Sequence, residues 1–432
     1  MDRGLWRKLT CIALLSSSTL CVAQNSAITY RTPLFMRQPA APAAPSVPGI
    51  SPSPESSTQG LEISTQPLPE RGDGLALWTF SIKGSRDGNQ HTGAIIGRNP
   101  FTQAGTAKVA TYIVPLIIRT HRIATTMDPR TFVFTTVPGD TTVDATAQDN
   151  VCLTAPNNVP ATLVRRSPVF ESSKFVFGAT DIGTTQYLDA FQRASFWTAL
   201  GSRTDSYHVL LDPVRTLDPV VIDAPANEGV AITDPQFFVA SFGATFCPPL
   251  QLIDQVWFDS YLKGTVIPAL QREDVGPASL PIFVSYDAVW SGNVAAFNCC
   301  EVGYHSSAGT PIPTQTYVVT HFDRSQLFGG PGGLDIENLS HEIGEWANDP
   351  FLVNATAPWG HTGQVSGCQA NMEVADPLMG HDLAPVPMPN GFTYHVQELA
   401  FFSWFFGAPS VGANGWYSNN GTFLRDAGPL CP

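Results

Sequence analysis

The amino-acid sequence predicts an α+β fold, a mixed sheet with a few helices preceded by a β-rich N-terminal part. Three observations point there. Runs rich in β-branched and aromatic residues recur between Leu77 and Phe322, helical period appears in only a few stretches, and the two do not alternate as βαβ units require. Of the 432 residues, 43% are hydrophobic and only 14% charged, so a sizeable core can be buried under a surface of Ser, Thr, Asn, Gln and Gly.

The N-terminus reads as an export signal. Arg3, Arg7 and Lys8 precede an apolar stretch, Leu9 to Ala23, that is too short to span a bilayer and ends in Cys21-Val22-Ala23. Residues 1–23 are therefore expected to be a signal peptide and the chain to be secreted, extracellular or periplasmic. Residues 24–73 follow as a Pro-rich disordered tether, with nine prolines between Pro33 and Pro69. The ordered domain is expected over 74–432, β-rich in 74–160. The net charge of -13 and the lack of any basic run after the N-terminus argue against nucleic acid or an anionic membrane as partner.

Within the domain, Leu77 to Ile82, Lys108 to Arg119 and Thr131 to Val137 read as strands, with Pro115 marking an edge or a bulge. Thr184 to Leu200 places Tyr187, Phe191, Ala194 and Trp197 at helical spacing behind Gly183. Strands are expected at His208 to Leu211, Val220 to Ile222, Ile282 to Val289 and Thr316 to Phe322, with a helix around Asp254 to Leu262. After a Gly-rich break, a helix is expected from Ile336 to Asn348, with Asp335 as N-cap and Pro350 disfavouring helix at Asp349. Tyr394 to Phe406, ending at Gly407, reads as a very apolar core helix; His395 and Glu398 on it suit a satisfied buried pair.

The chemistry concentrates in one region. Six of the nine His lie between His305 and His395, and four of the twelve Glu between Glu337 and Glu373. On the 336–348 helix, Ile336, Leu339, Ile343 and Trp346 form an apolar stripe, and Asn338, His341, Glu342 and Glu345 form a polar one. Residues four apart point the same way, so His341 and Glu345 can converge on one cation. Glu342 then projects beside the metal, where a carboxylate can take a proton from bound water. The bland alternative is a solvated helix face with a mutually stabilising His–Glu pair.

His341-Glu342-Ile343-Gly344-Glu345 resembles the HExxH helix of the zincin metallopeptidases, with Glu in place of the second His. The gluzincin branch takes a third ligand from a downstream Glu in a motif like NExxxD. Asn371, Glu373 and Asp376 are similar to that motif, shifted by one residue and followed by Pro377. The resemblance implies a zincin-like fold, zinc as cofactor, Glu373 as third ligand with Asp376 second, Glu342 as general base, and a peptide or protein substrate. His361 and His381 stand in reserve as ligands. SHEIGEW with EVADPL is also similar to a set of secreted bacterial proteins, a likeness that implies no activity. The two functional expectations are a secreted metal-dependent hydrolase of zinc-metallopeptidase type, and a non-catalytic extracellular binding or surface protein with a structural HEIGE helix or a stabilising ion.

Removal of residues 1–23 leaves six cysteines, which in an exported chain can all pair. Cys299 and Cys300 are adjacent, and the peptide between vicinal cysteines resists bridging them to each other. Cys299 and Cys300 are therefore expected to take different partners; Cys152 and Cys247, which both lie before the HEIGE segment, are expected to pair with each other, and the vicinal pair with Cys368 and Cys431 in either order.

Overall fold

A computed structural model describes residues 63–64, 74–148, 158–239, 246–273, 275–297, 299–309, 315–323, 334–425 and 431. The expected signal peptide, most of the expected tether and Cys152 lie outside the described residues. Ile63–Ser64, inside the expected tether, pairs antiparallel with Ser81 and Ile82. Among the described residues no helix is long and apolar enough to cross a membrane.

The architecture is α+β, built on one mixed sheet of eleven strands. Its spine is the 23-residue strand Gly105–Met127, nearly twice the length read from the sequence. The first half of the spine lies parallel to Tyr207–Thr216 on one side and to Ser279–Tyr286 on the other. The second half lies parallel to Val220–Asp223 and Gly229–Ile232, and antiparallel to Phe134–Asp144. Eight strands follow one nearly closed path. In order these are 299–301, 288–291, 250–254, 229–232, the spine, 279–286, 315–322 and 303–308.

Pro115 sits in the middle of this sheet and not at an edge. It faces Val284 on one side, while on the other the neighbouring strand stops at Thr216, opposite Ile113, and the next starts at Val220, opposite Leu116. A residue without an N–H is tolerated where its neighbour is interrupted. Strands 279–286 and 315–322 are buried at all their residues, as parallel strands covered on both faces should be.

Two helices are shorter than their periodicity suggests. Thr180–Thr185 is a strand, with Gly183 at φ +111°, so the helix starts at Tyr187 and runs to Ser195. Gln186 is not helical because its side-chain oxygen accepts the Leu211 N–H at 2.8 Å, tying the helix start to strand 207–216. At the C-terminal end only Phe402–Phe406 is helical, with Gly407 left-handed at φ +61°. Tertiary acceptors take the preceding N–H groups: His395 donates to Asp335, Gln397 to Ser340 Oγ, Glu398 to the His381 carbonyl, Leu399 to Asn419 and Ala400 to the Val374 carbonyl. With those donors spent, i to i−4 bonding cannot begin until residue 402.

Helix Glu337–Asn348 matches its expected span to within one residue. It packs on strands 315–322 and 303–308, and Trp346 Nε1 donates to Thr316 Oγ1 at 3.0 Å. Asp335 is not its cap. At φ +37° its carboxylate instead accepts from Ile336 N at 2.6 Å, and from His395 N at 3.0 Å and His395 Nδ1 at 2.6 Å. His395 and Glu398 are accordingly not paired with each other. Glu398 is fully buried and accepts from Ser418, Asn420 and Thr422.

Candidate metal centre

No face of helix 337–348 is solvated: all twelve of its residues are buried, the polar stripe included. The solvated-face alternative therefore does not hold. What covers the polar stripe is strand Gly303–Ala308 and the turn after strand Val365–Asn371. Gly303 lets the strand approach, since a Cβ there would lie 3.1 Å from Glu342 Cγ and 3.0 Å from the Val319 carbonyl. Gly344 does the same on the far side of the helix, where a Cβ would stand 2.5 Å from Leu399 Cδ1.

The four residues singled out from the sequence come together here. His341 Nε2 lies 3.1 Å from Glu345 Oε2, the i,i+4 convergence expected on a helix. Glu342 is beside them, its Oε1 3.9 Å from the same nitrogen. Glu373 approaches Glu345 through His305, whose Nε2 is 3.8 Å from Glu373 Oε2 and whose Nδ1 is 3.8 Å from Glu345 Oε2. Asp376 is the nearer of the two downstream acids to His341, with Oδ1 3.5 Å from Nε2. Two triads of donor atoms result, His341–Glu342–Glu345 and His305–Glu345–Glu373, each with its atoms within 4.8 Å of one another. These buried His/Glu groups could hold a metal ion.

The downstream segment is a strand and a turn, not a helix. Val365–Asn371 ends in an extended loop, and Asp376–Leu378 is a single 3-10 turn. Asn371 Nδ2 donates to Glu373 Oε1 at 2.6 Å, and Gln369 Nε2 to Asp376 Oδ2 at 2.9 Å, with Gln364 on Oδ1. The strand thus aims both acids. Glu345 Oε1 accepts the N–H groups of Ala375 and Asp376 at 3.2 and 3.1 Å, which fastens the turn to the helix. Glu373 Oε2 is buried and has no hydrogen-bond partner.

The electrostatics follow from packing acids together out of water. Burial, then Glu345, Asp349, Asp376 and Glu342, push the Glu373 carboxyl well above its ordinary range. Burial and Glu345 raise Asp376, and burial raises Asp349 to about 6. Glu301, on the neighbouring strand, is raised to about 7 by burial and by Glu342. Both imidazoles are raised as well, against the pull of burial. Burial pulls His341 down, but Glu345, Asp376 and Glu342 reverse this and raise it well above its usual value. His305 is raised in the same way, by Glu342 and Glu345 against the pull of burial. A cation among these groups relieves both trends at once.

His305 and Gln397 were not singled out from the sequence. His305 comes from a strand some 37 residues before Glu342, so no short spacing connects them; the crowding of His between 305 and 395 was the one available signal. The reserve ligands lie elsewhere. His361 Nε2 is 3.7 Å from Cys368 Sγ, and His381 is exposed. Cys368 is bonded to Cys431, so the expected bridge from Cys368 to the vicinal pair is replaced by one that ties the C-terminus to strand 365–371. The group His361, Cys368 and Cys431 is therefore a disulfide beside an imidazole and offers no thiolate. Cys247 and Cys300 are each disulfide-bonded. Comparison of the chain with protein-family models, with curated proteins and with solved structures gives no match.

Proposed function

We propose that this chain is a secreted metal-dependent hydrolase, related in its site plan to the zincin-type zinc metallopeptidases, with a peptide or protein as substrate. His341, Glu345 and Glu373 hold zinc and Glu342 is the general base. The observation that carries this reading is the buried convergence of two imidazoles and four carboxylates, with Glu373 Oε2 left without a hydrogen-bond partner. A buried carboxylate oxygen in that state costs on the order of several kcal/mol unless a cation or proton meets it. An ion held there would supply an acidified water, and Glu342, whose oxygens lie 3.9 Å from His341 Nε2 and 3.3 Å from His305 Nδ1, would take a proton from a group held between them. His305 also bears on zinc itself. A site with one imidazole and two carboxylates would acidify bound water weakly, and a second imidazole in the cluster lessens that handicap.

The second reading, a non-catalytic secreted protein with a stabilising ion, is favoured by one specific fact: none of the donor residues is more than 6% exposed. Two measurements separate the readings. The purified secreted chain is expected to carry tightly bound divalent metal, and His341→Ala to lose it; a metal-free wild type would overturn both readings. Glu342→Gln is expected to keep metal and fold while peptide hydrolysis disappears. Equal hydrolysis by the two proteins would remove Glu342 from the chemistry, and full metal occupancy without hydrolysis would leave the stabilising ion.

A further inference from the structure

The donors of the buried cluster fall about two foci, and Glu345 reaches both through one oxygen. Glu345 Oε1 is occupied by the Ala375 and Asp376 N–H groups, so Oε2 alone faces the cluster. That oxygen lies 3.1 Å from His341 Nε2 and 3.8 Å from His305 Nδ1. Around the first focus stand His341 and Asp376, with 3.5 Å between Nε2 and Oδ1. Around the second stand His305 and the 1%-exposed Glu373, whose Oε2 has no hydrogen-bond partner and lies 3.8 Å from His305 Nε2; one donor atom each from His305, Glu373 and Glu345 lies within 4.8 Å of the others. Glu342 spans the two, one oxygen 3.9 Å from His341 and the other 3.3 Å from His305.

We propose that this centre binds two divalent cations bridged by Glu345, one held by His341 and Asp376 and the other by His305 and Glu373. The proposal rests on the cluster binding metal at all, as argued above; it adds a second ion and the bridge, and assigns Glu373 to the ion at His305 and Asp376 to the ion at His341. Charge balance favours it. Glu342, Glu345, Glu373 and Asp376 carry four negative charges when ionised against two neutral imidazoles, which two divalent ions match and one ion leaves half uncompensated in a site excluded from water. Geometry favours it too. Paired metal ions in hydrolytic sites lie roughly 3.5–4 Å apart and share a bridging carboxylate, a span that one oxygen flanked by two imidazoles can serve. Outer contacts are in place: His341 Nδ1 meets Gln397 Oε1 at 2.9 Å, and Asn371 and Gln369 hold Glu373 and Asp376. Four carboxylates with two imidazoles suit ions of intermediate hardness, Mn²⁺, Fe²⁺ or Zn²⁺, over Cu⁺, which prefers thiolates.

The test loads the full secreted chain, stripped by chelator, with Mn²⁺ and removes unbound ion. Two equivalents by elemental analysis, with an exchange-coupled electron paramagnetic resonance spectrum, are expected. One equivalent overturns the two-ion centre and leaves the single-ion reading standing, whereas none overturns both. Two equivalents with magnetically isolated spectra overturn the bridge. His305→Ala is expected to retain one equivalent with an uncoupled spectrum, and retention of two coupled ions counts against the assignment. Circular dichroism checks that this variant is folded; if it is not, wild-type stoichiometry and coupling decide.

Discussion

Gln397 fixes which nitrogen of His341 faces the carboxylates. Its Nε2 donates to the Ala375 carbonyl at 2.7 Å, so its Oε1 is the atom that meets His341 Nδ1 at 2.9 Å. That oxygen can only accept; Nδ1 therefore carries the proton, and Nε2 is the atom turned toward Glu345 and Asp376. The main-chain N–H of Gln397 is itself held by Ser340 Oγ, and its carbonyl by the Tyr187 hydroxyl. The orienting amide thus rests on two helices.

From this, Gln397→Leu should weaken metal affinity by roughly 10–100-fold, the usual cost of losing an outer partner of a ligating imidazole. Gln397→Glu keeps an acceptor at Nδ1 and should recover much of the loss. Competition titration with a chromophoric chelator reads both, and equal weakening by the two variants would show that packing, not orientation, is at stake.

The Cys368–Cys431 bridge closes a separation of 63 residues on the strand that aims Glu373 and Asp376. Loop closure of that size is worth about 4 kcal/mol in the chain-entropy picture, and engineered or removed bridges often give less. Cys368→Ser with Cys431→Ser should therefore lower unfolding stability by roughly 2–4 kcal/mol and also loosen metal binding. Urea unfolding and metal retention measured side by side check this. A loss of stability with metal affinity untouched would separate the bridge from the site.

A pH dependence is expected away from the centre, at His208. Its Nδ1 lies 3.0 Å from Asp189 Oδ2, a fully buried carboxylate on helix 187–195 that also accepts from Thr185 Oγ1. The hydrogen bond to Asp189 raises the His208 imidazole above its ordinary value, against the smaller pull of burial. Because the folded-state value is the higher one, the stabilisation is full below the unfolded value, about 6.5, and is lost as pH rises through the folded value. The difference in Tm between wild type and His208→Asn should thus be largest near pH 5.5 and shrink toward pH 9. A constant difference across that range would assign His208 a pH-independent packing role.

Much of this protein is legible in its sequence where a local rule is also the winning one. The 337–348 helix follows from an apolar stripe at helical spacing and a proline just beyond its end, and it places His341 and Glu345 on one face without tertiary help. Strand 315–322 and the start of the 255–261 helix, capped by Asp254 accepting from Trp257 N at 2.9 Å, are local in the same sense. The tertiary structure decided the rest, for identifiable reasons. Residues 395–401 have helical composition, yet acceptors on Asp335, Ser340, His381, Asn419 and Val374 compete for their N–H groups and win. His305 and Gln397 reach the centre from extended segments, where the spacing to a partner is set by chain topology and leaves no mark on neighbouring residues. Cys368 meets Cys431 because the C-terminus folds back onto strand 365–371, a return path that residue spacing does not encode. The sequence by itself determined which helix carries the acid–imidazole chemistry. Only the folded sheet, by closing strand 303–308 and the 373–376 turn over that helix, determined that the chemistry is buried and that Glu345 stands between two imidazoles.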